Sequence, residues 1–378
     1  MFKNKFFGFA IIAGLLLTLI LVIAQLPVAK AKLQDAPVAV VNLDKGPMGK
    51  QITKKMLKMN HKSGTKALHW RKFKSETAVK RAMKEQRYYG ALVIPKGFSQ
   101  SITSLANPTA TGNASIKVMV NEGMNSTLSA SVKQVLTGIV NGIGSGMQTT
   151  MLANFQKLNV PVPAAVAAKL AHPITVKTES LNKTTGLAAA SSVFFQPIWL
   201  SSLVMSLLIF YAGRGKVMLQ RRERLQFKLT QMAVAAGLAL MAGTVTAVYA
   251  QWILGYDFSH FMPLAMFLSM ASFAFMMLFS GVITWLGIAG VAVFGLLLFF
   301  SAPLMQLAPE MIPHFYQQWI LPWLPMRFLF DGARDMLYYN ASFWNSATSA
   351  LVVILALGMA MFVSELWAPK HRRTAMAK

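Results

Sequence analysis

The chain is 378 residues long, with 55% hydrophobic residues, 13% charged ones, no cysteine and a formal net charge of +25. A soluble globular chain carries about 25% charged residues, so the composition excludes an ordinary soluble protein and indicates a membrane one. The missing thiols exclude a disulfide-stapled scaffold, a thiolate-ligated zinc or iron–sulfur site and cysteine nucleophile chemistry.

An apolar run must reach about 20 residues to cross a bilayer as a helix, and six segments qualify. The first, Phe6–Leu26, follows Lys3 and Lys5. Its apolar core is longer than the roughly 7 to 15 residues of a secretory signal, which favours an uncleaved anchor (1–26) over a leader cleaved at Ala29-Lys30-Ala31.

Residues 27–192 form the hydrophilic part, with 23 basic and 6 acidic residues, a net of +17. Short β-branched runs bounded by turn residues predict strands at Val38–Asn42, Ala91–Pro95 and Ile116–Asn121, with a further one at Ile174–Ser180. Met48–Met59 and Ser75–Gln86 read as basic amphipathic helices, and Met124–Leu158 as a longer one interrupted at Gly138, Gly142, Gly144 and Gly146. The basic surface is either simply solvated or suited to anionic lipid headgroups or cell-wall polyanions. Few aromatics accompany it, which argues against nucleic acid.

Residues 193–378 supply the other five spans: Val193–Ala212, Met232–Leu254, two within Phe261–Met305 with a turn at Gly281–Gly287, and Phe343–Ser364. The loop 213–230 is basic, and Arg221, Arg222, Glu223 and Arg224 stand among apolar residues as in a short amphipathic helix. Such a helix could receive force from a motor, or the loop could be a topogenic one resting on anionic lipid. The stretch 306–342 is rich in Trp, Tyr, Phe and Pro, as headgroup-level segments are, and reads as a broken, re-entrant hairpin. Within it Pro325 precedes Asp331, Arg334 and Asp335 at helical spacing, either as an interfacial cap or as a gating element. The tail 365–378 is basic.

Lys and Arg in short flanking loops resist transfer across the membrane. The N-terminus, the 213–230 loop and the tail are the basic short segments, so both termini are placed in the cytoplasm of a bacterial cell and residues 27–192 outside. The expected fold is an α-helical integral membrane protein with six transmembrane helices, one N-terminal and five C-terminal. An α/β extracytoplasmic domain is inserted after the first.

Gly46-Pro47-Met48-Gly49-Lys50-Gln51 has the wrong spacing and no hydroxyl for a Walker phosphate loop. His61, His69, His172, His260, His314 and His371 are scattered without metal-ligand spacing, and no GxSxG elbow occurs. Neither an enzyme nor a cofactor is expected. The predicted spans lack the buried ionisable groups of ion-coupled carriers, so any transport energy would come from another subunit.

PVAVVNLDKG (Pro37–Gly46), RYYGALVIPKGFSQSITSL (Arg87–Leu105) and VMVNEGMNS (Val118–Ser126) are similar to signatures of the phage infection protein family, and LPMRFLFDGARDML (Leu324–Leu337) resembles the segment before the last helix in the wider group of type 2 ABC exporter permeases. The resemblance implies an export permease for an amphiphilic, polymeric or toxic compound. It would form a homodimer or pair with a related permease, and a separate ATPase subunit would drive it. Arg221, Arg222, Glu223 and Arg224 would then be the contact surface for that ATPase. The family name also implies a phage-docking receptor, and a secretion-apparatus scaffold is the remaining alternative. Asn42, Asp44, Gly46, Asn121 and Glu122 match the family motifs, although Asn-x-Asp-x-Gly after a strand is also an ordinary turn. Longer members carry an extended outer domain that this chain lacks.

Overall fold

The computed structural model describes residues 15–16, 18–19, 22–29, 31–60, 67–105, 114–159, 161–184, 186–187, 189–213 and 220–367. Much of the expected anchor Phe6–Leu26, Arg214–Leu219 of the basic loop, His61, His371 and the tail from Ala368 lie outside them. Two units form: residues 32–184 with Ala308–Met311, and a helical unit made of the rest.

The first unit is built on a mixed five-stranded sheet in the order β2-β1-β3-β4-β5. Its elements are β1 (Ala36–Asn42), α1 (Pro47–Met59), β2 (Leu68–Phe73), α2 (Glu76–Lys84), β3 (Gly90–Ile94), α3 (Phe98–Ser104), β4 (Ala114–Asn121), α4 (Ser126–Lys157), α5 (Ala164–Ala171) and β5 (Ile174–Leu181). β1 runs parallel to both β2 and β3, β4 is antiparallel to β3, and β5 is parallel to β4.

Central strand β1 is covered on both faces, which is why it reads as a continuous apolar run rather than an alternating one. Val38 and Val40 point to the side of α1, α3 and α4, where Ile52, Phe98, Ile102, Leu128, Val132 and Leu136 complete a core. Ala39 and Val41 point to the other side, against Val79, Ala82 and Met83 of α2. Ala308 joins the first of these cores, and Glu310 accepts hydrogen bonds from the Tyr89 hydroxyl at 2.7 Å and the Gln34 N–H at 3.2 Å.

Two features of this unit differ from the sequence expectation. Strand β2 is additional to the predicted strands. Helix α4 runs unbroken through Gly138, Gly142, Gly144 and Gly146, because its apolar face, Leu128, Val132, Leu136 and Val140, is fully buried and tertiary packing outweighs glycine's cost of about 1 kcal/mol per residue.

Among the described residues the helical unit contains five helices long and apolar enough to cross a membrane. They are α6 (Phe195–Gly213, extended by the short helix Ala190–Val193), α7 (Arg221–Leu254), α8 (Phe261–Leu286), α9 (Ile288–Gln306) and α11 (Ser346–Ser364). The chain is a multi-pass membrane protein with an α/β region near its N-terminus. Leu208, Leu240, Trp252, Val353 and Leu357 stand exposed on the outward faces, as lipid-facing side chains do.

Helix α8 is central and packs against α6, α7, α9 and α11. Gly358 of α11 lets the backbones meet: a Cβ there would lie 2.4 Å from the Leu278 backbone nitrogen. Around Trp199, Phe275, Phe279 and Phe294 form an aromatic cluster, with the Trp199–Phe279 and Phe279–Phe294 centroids 4.7 and 4.4 Å apart. The break between α8 and α9 falls on Gly287, whose φ of +59° only glycine adopts cheaply. Gly281, the other end of the predicted turn, lies inside α8.

Between α9 and α11 the chain is helical but broken. It passes through a 3₁₀ turn (Pro309–Met311), a π turn (Tyr316–Ile320) and a second 3₁₀ turn (Leu321–Trp323) before α10 (Pro325–Tyr339).

Candidate functional site

The Asn42–Gly46 segment at the end of β1 builds a sealed turn. The Ser99 hydroxyl donates to Asp44 Oδ2 at 2.5 Å, the Gly49 N–H donates to the same oxygen at 3.2 Å, and the Asp44 N–H donates to Asn42 Oδ1 at 3.0 Å. The Met48 N–H donates to Ser99 Oγ at 3.1 Å. Burial pushes the Asp44 carboxyl up, but the Ser99 hydroxyl and the N–H groups of Ser99, Gly46 and Gly49 outweigh it and hold the group below its ordinary value. A Cβ on Gly46 would sit 2.3 Å from Ser99 Oγ, and one on Gly49 would sit 2.6 Å from Asn42 Oδ1.

The first N–H groups of α1 are therefore taken by Asp44 and Ser99. Nucleotide-binding α/β folds hold phosphate at such a strand–loop–helix position, and here a carboxylate of the chain itself occupies it. Ser99 lies within the Arg87–Leu105 signature, but nothing in the sequence singles it out as the partner of Asp44, which stands 55 positions away.

Asn121 and Glu122 also act within the fold. The fully buried Asn121 amide donates to the carbonyls of Met83 at 2.8 Å and Tyr88 at 3.1 Å, and its oxygen accepts from Asn182 at 2.7 Å. Glu122 accepts from the Thr184 N–H at 3.3 Å. Together they tie the end of β4 to the α2–β3 connection and to the chain leaving β5.

On the α2 side, Lys80 and Lys117 are each shared between Glu76 and Glu179, with contacts of 2.7–3.3 Å. Donation from Lys117 lowers Glu76 below its ordinary value, and donation from Lys80 lowers Glu179.

In the helical unit, Arg221–Arg224 do not form a separate short helix. They are the first turn of the 34-residue α7, closed by a capping box between Gln220 and Glu223, because basic residues are good helix formers and nothing breaks the chain before Met232. Arg221, Arg222 and Glu223 are exposed. One turn on, Lys228 pairs with Glu365 at 2.5 Å and lies 3.7 Å from the Phe362 ring centroid, while Arg221 stands over Trp367 at 5.1 Å. The beginning of α7 is thus clasped to the end of α11, a pairing across 137 positions that no local pattern announces.

Pro325 occupies the first turn of α10, where its missing N–H costs nothing. Along that helix Asp331 pairs with Arg327 at 3.0 Å and Arg334 at 3.2 Å, and Arg334 reaches Asp335 at 3.5 Å. The structure therefore brings together the three charged residues picked from spacing and adds Arg327. Near the end of α10 a cavity of about 350 Å³ is lined by Phe258, Leu264, Met336 and Phe343 on apolar walls and by Ser259, His260, Asn340 and Ser342 as polar groups.

Among the described residues no group of three or more His, Asp or Glu is placed to hold a metal ion. Over residues 8–363 the chain matches the family described as "Protein of unknown function (DUF3533)", and it belongs to that family. No curated protein and no solved structure matches it.

Proposed function

We propose that this member of the family is the membrane permease subunit of an ABC-type exporter that moves an amphiphilic, polymeric or toxic compound out of a bacterial cell. A separate ATPase subunit drives it. The observation that carries this reading is that α7 is one unbroken helix from Arg221 to Leu254. Exposed arginines lie on its first turn and an apolar span follows in the same rod, about 50 Å long at 1.5 Å per residue. A push on Arg221, Arg222 or Arg224 is thereby delivered to the span without an intervening joint, and the Lys228–Glu365 clasp passes it to α11.

Both termini and the start of α7 lie in the cytoplasm on this reading, following the basic residues, and the α/β domain lies outside. Basic side chains at a helix N-terminus oppose the helix dipole, so their clustering there serves membrane orientation and, on this reading, a partner, not the stability of α7. The cavity at the end of α10, with apolar walls and a few polar groups, suits an amphiphile. The four-membered charge row Arg327, Asp331, Arg334 and Asp335 lies on the helix that reaches it, as a gating element would.

The test is purification from native membranes after crosslinking in intact cells, with identification of co-purifying proteins by mass spectrometry. Recovery of a nucleotide-binding subunit is expected, and its loss from the Arg221→Ala/Arg222→Ala/Arg224→Ala variant at equal expression. A preparation free of any ATPase would move the assignment to a phage-docking receptor or secretion scaffold, the reading favoured by the strongly basic α/β domain.

A further inference from the structure

The two sides of the sheet treat their lysines differently. On the α2 side Lys80 and Lys117 are neutralised by Glu76 and Glu179. On the α1 side a groove of about 360 Å³ between α1 and the edge strand β2 is lined by Lys50, Lys54, Lys58 and Lys72 with Asn42 and Leu57. Among the described residues none of these four lysines has a carboxylate partner, and α1 contains no acidic residue at all. The acids nearest in sequence are already engaged, Asp44 by Ser99 and Gly49 and Glu76 by Lys80 and Lys117. Asn42 uses only its oxygen within the turn, and among the described residues its amide nitrogen makes no hydrogen bond.

Like charges at i and i+4 destabilise a helix by about 0.2–0.5 kcal/mol per pair, so Lys50, Lys54 and Lys58 form a row that the fold itself does not reward. The row is straight, with steps of about 6 Å along the axis, and Lys72 forms the opposite wall. One phosphate cannot meet both ends of such a row, whereas a linear anion carrying a charge every few bonds can. Leu57 supplies an apolar wall for the segments between charges. No aromatic ring lines the groove, so the base stacking that single-stranded nucleic acid uses is lacking.

We propose that this groove binds a linear phosphodiester polymer with aliphatic linkers, its successive phosphates held by Lys50, Lys54, Lys58 and Lys72 and one of them by the Asn42 amide. The site does not depend on whether the chain transports anything.

The experiment titrates the full-length protein in detergent with fluorescent poly(glycerol phosphate) over a range of salt concentrations. The expected result is salt-sensitive binding that weakens at least about tenfold in the Lys50→Gln/Lys54→Gln/Lys58→Gln/Lys72→Gln variant, with a log–log salt slope shallower by roughly 0.7 for each lysine engaged. A charge-matched control, Lys133→Gln/Lys157→Gln/Lys177→Gln/Lys183→Gln, removes four exposed lysines of the same domain and should change affinity less than twofold. All four groove positions are at or near the surface, and an unchanged or raised melting temperature shows that the variant is folded.

Equal losses in the two quadruple variants would reduce the effect to diffuse charge and overturn the proposal, as would an absence of binding by the unaltered protein. Inorganic phosphate competing as well as the polymer would replace the polymer site with a single-anion one. Tighter binding of an oligodeoxythymidine with the same number of phosphates would overturn the choice of an aliphatic chain.

Discussion

In the helical unit small residues let helices come close together, whereas in the α/β unit buried polar side chains join separate segments by directed hydrogen bonds. Gly358 meets the Leu278 backbone, Gly281 meets the Gly358 carbonyl, and Ser202 and Ser272 share a hydrogen bond at 2.8 Å between α6 and α8. Asn121, Asp44 and Ser99 instead each hold two or more segments of the α/β unit by directed hydrogen bonds. Lipid chains are as apolar as leucine, so helices in a bilayer gain little from burying leucine and much from close packing of small residues. In water the apolar core already supplies the driving force, and buried polar groups are left to fix which loop goes where. Damage should therefore be steric in one unit and electrostatic in the other.

The largest effect is expected at Gly358. In Gly358→Val the new Cβ would stand 2.4 Å from the Leu278 nitrogen and 2.5 Å from the Met277 carbonyl carbon, and backbone atoms of two packed helices cannot step aside. A cost of about 3 kcal/mol or more is expected, read as a lower melting temperature and loss of a monodisperse species in detergent. Gly237 of α7 has nothing within 4 Å of its added Cβ, so Gly237→Ala should raise stability by up to about 1 kcal/mol. Equal outcomes at these two glycines would dissolve the steric half of the comparison.

Next in size is Asn121→Ala. It strands the buried Tyr88 carbonyl and removes the acceptor of the Asn182 amide, while the Met83 carbonyl keeps only the Gln86 N–H, at a cost of about 2 kcal/mol. Hydrogen exchange should report faster opening of the α2–β3 connection while α8 and α11 stay unchanged. Asn182→Ala, which removes one bond at a half-buried position, should cost about 1 kcal/mol.

What the sequence allowed to be read follows the same division. Strands β1, β3, β4 and β5 announce themselves as β-branched runs between turn residues, and the break at Gly287 lies inside the predicted turn. Strand β2 does not announce itself: His69, Arg71 and Lys72 place three basic residues in six, because it is an edge strand, and charged edges resist unwanted pairing. Asn60 covers part of that edge by donating to the Trp70 carbonyl and accepting from its N–H. The beginning of α7 was hidden for a different reason, since hydropathy registers only Met232–Leu254 while the helix continues back through arginines. Motif residues were legible as a set, but their partners were not: Ser99 for Asp44, Glu365 for Lys228 and Glu310 for Tyr89 lie 55 to 221 positions away, distances only the fold closes.

The smallest effect, and the most specific, concerns acid. The Asp44 carboxyl lies below its ordinary value in the folded chain, so folding favours its ionised form. The stability this contributes is fully present above the unfolded value, about 3.9, and is lost as pH falls through the lower folded value. Protection of the α1 amides, corrected for intrinsic exchange rates, should therefore hold constant from pH 7 to about 5 and decline below about pH 4. Asp44→Asn should lower that protection at pH 7 by about 1–2 kcal/mol and flatten its decline through the acid window. Glu76 and Glu179 are lowered as well, by Lys117 and Lys80, so α2 should also loosen in acid, but with the same profile in the Asp44→Asn variant as in the unaltered protein. If α1 in that variant still follows the acid decline, the sealed turn is not held by its carboxylate, and Ser99 with the backbone alone closes the start of α1.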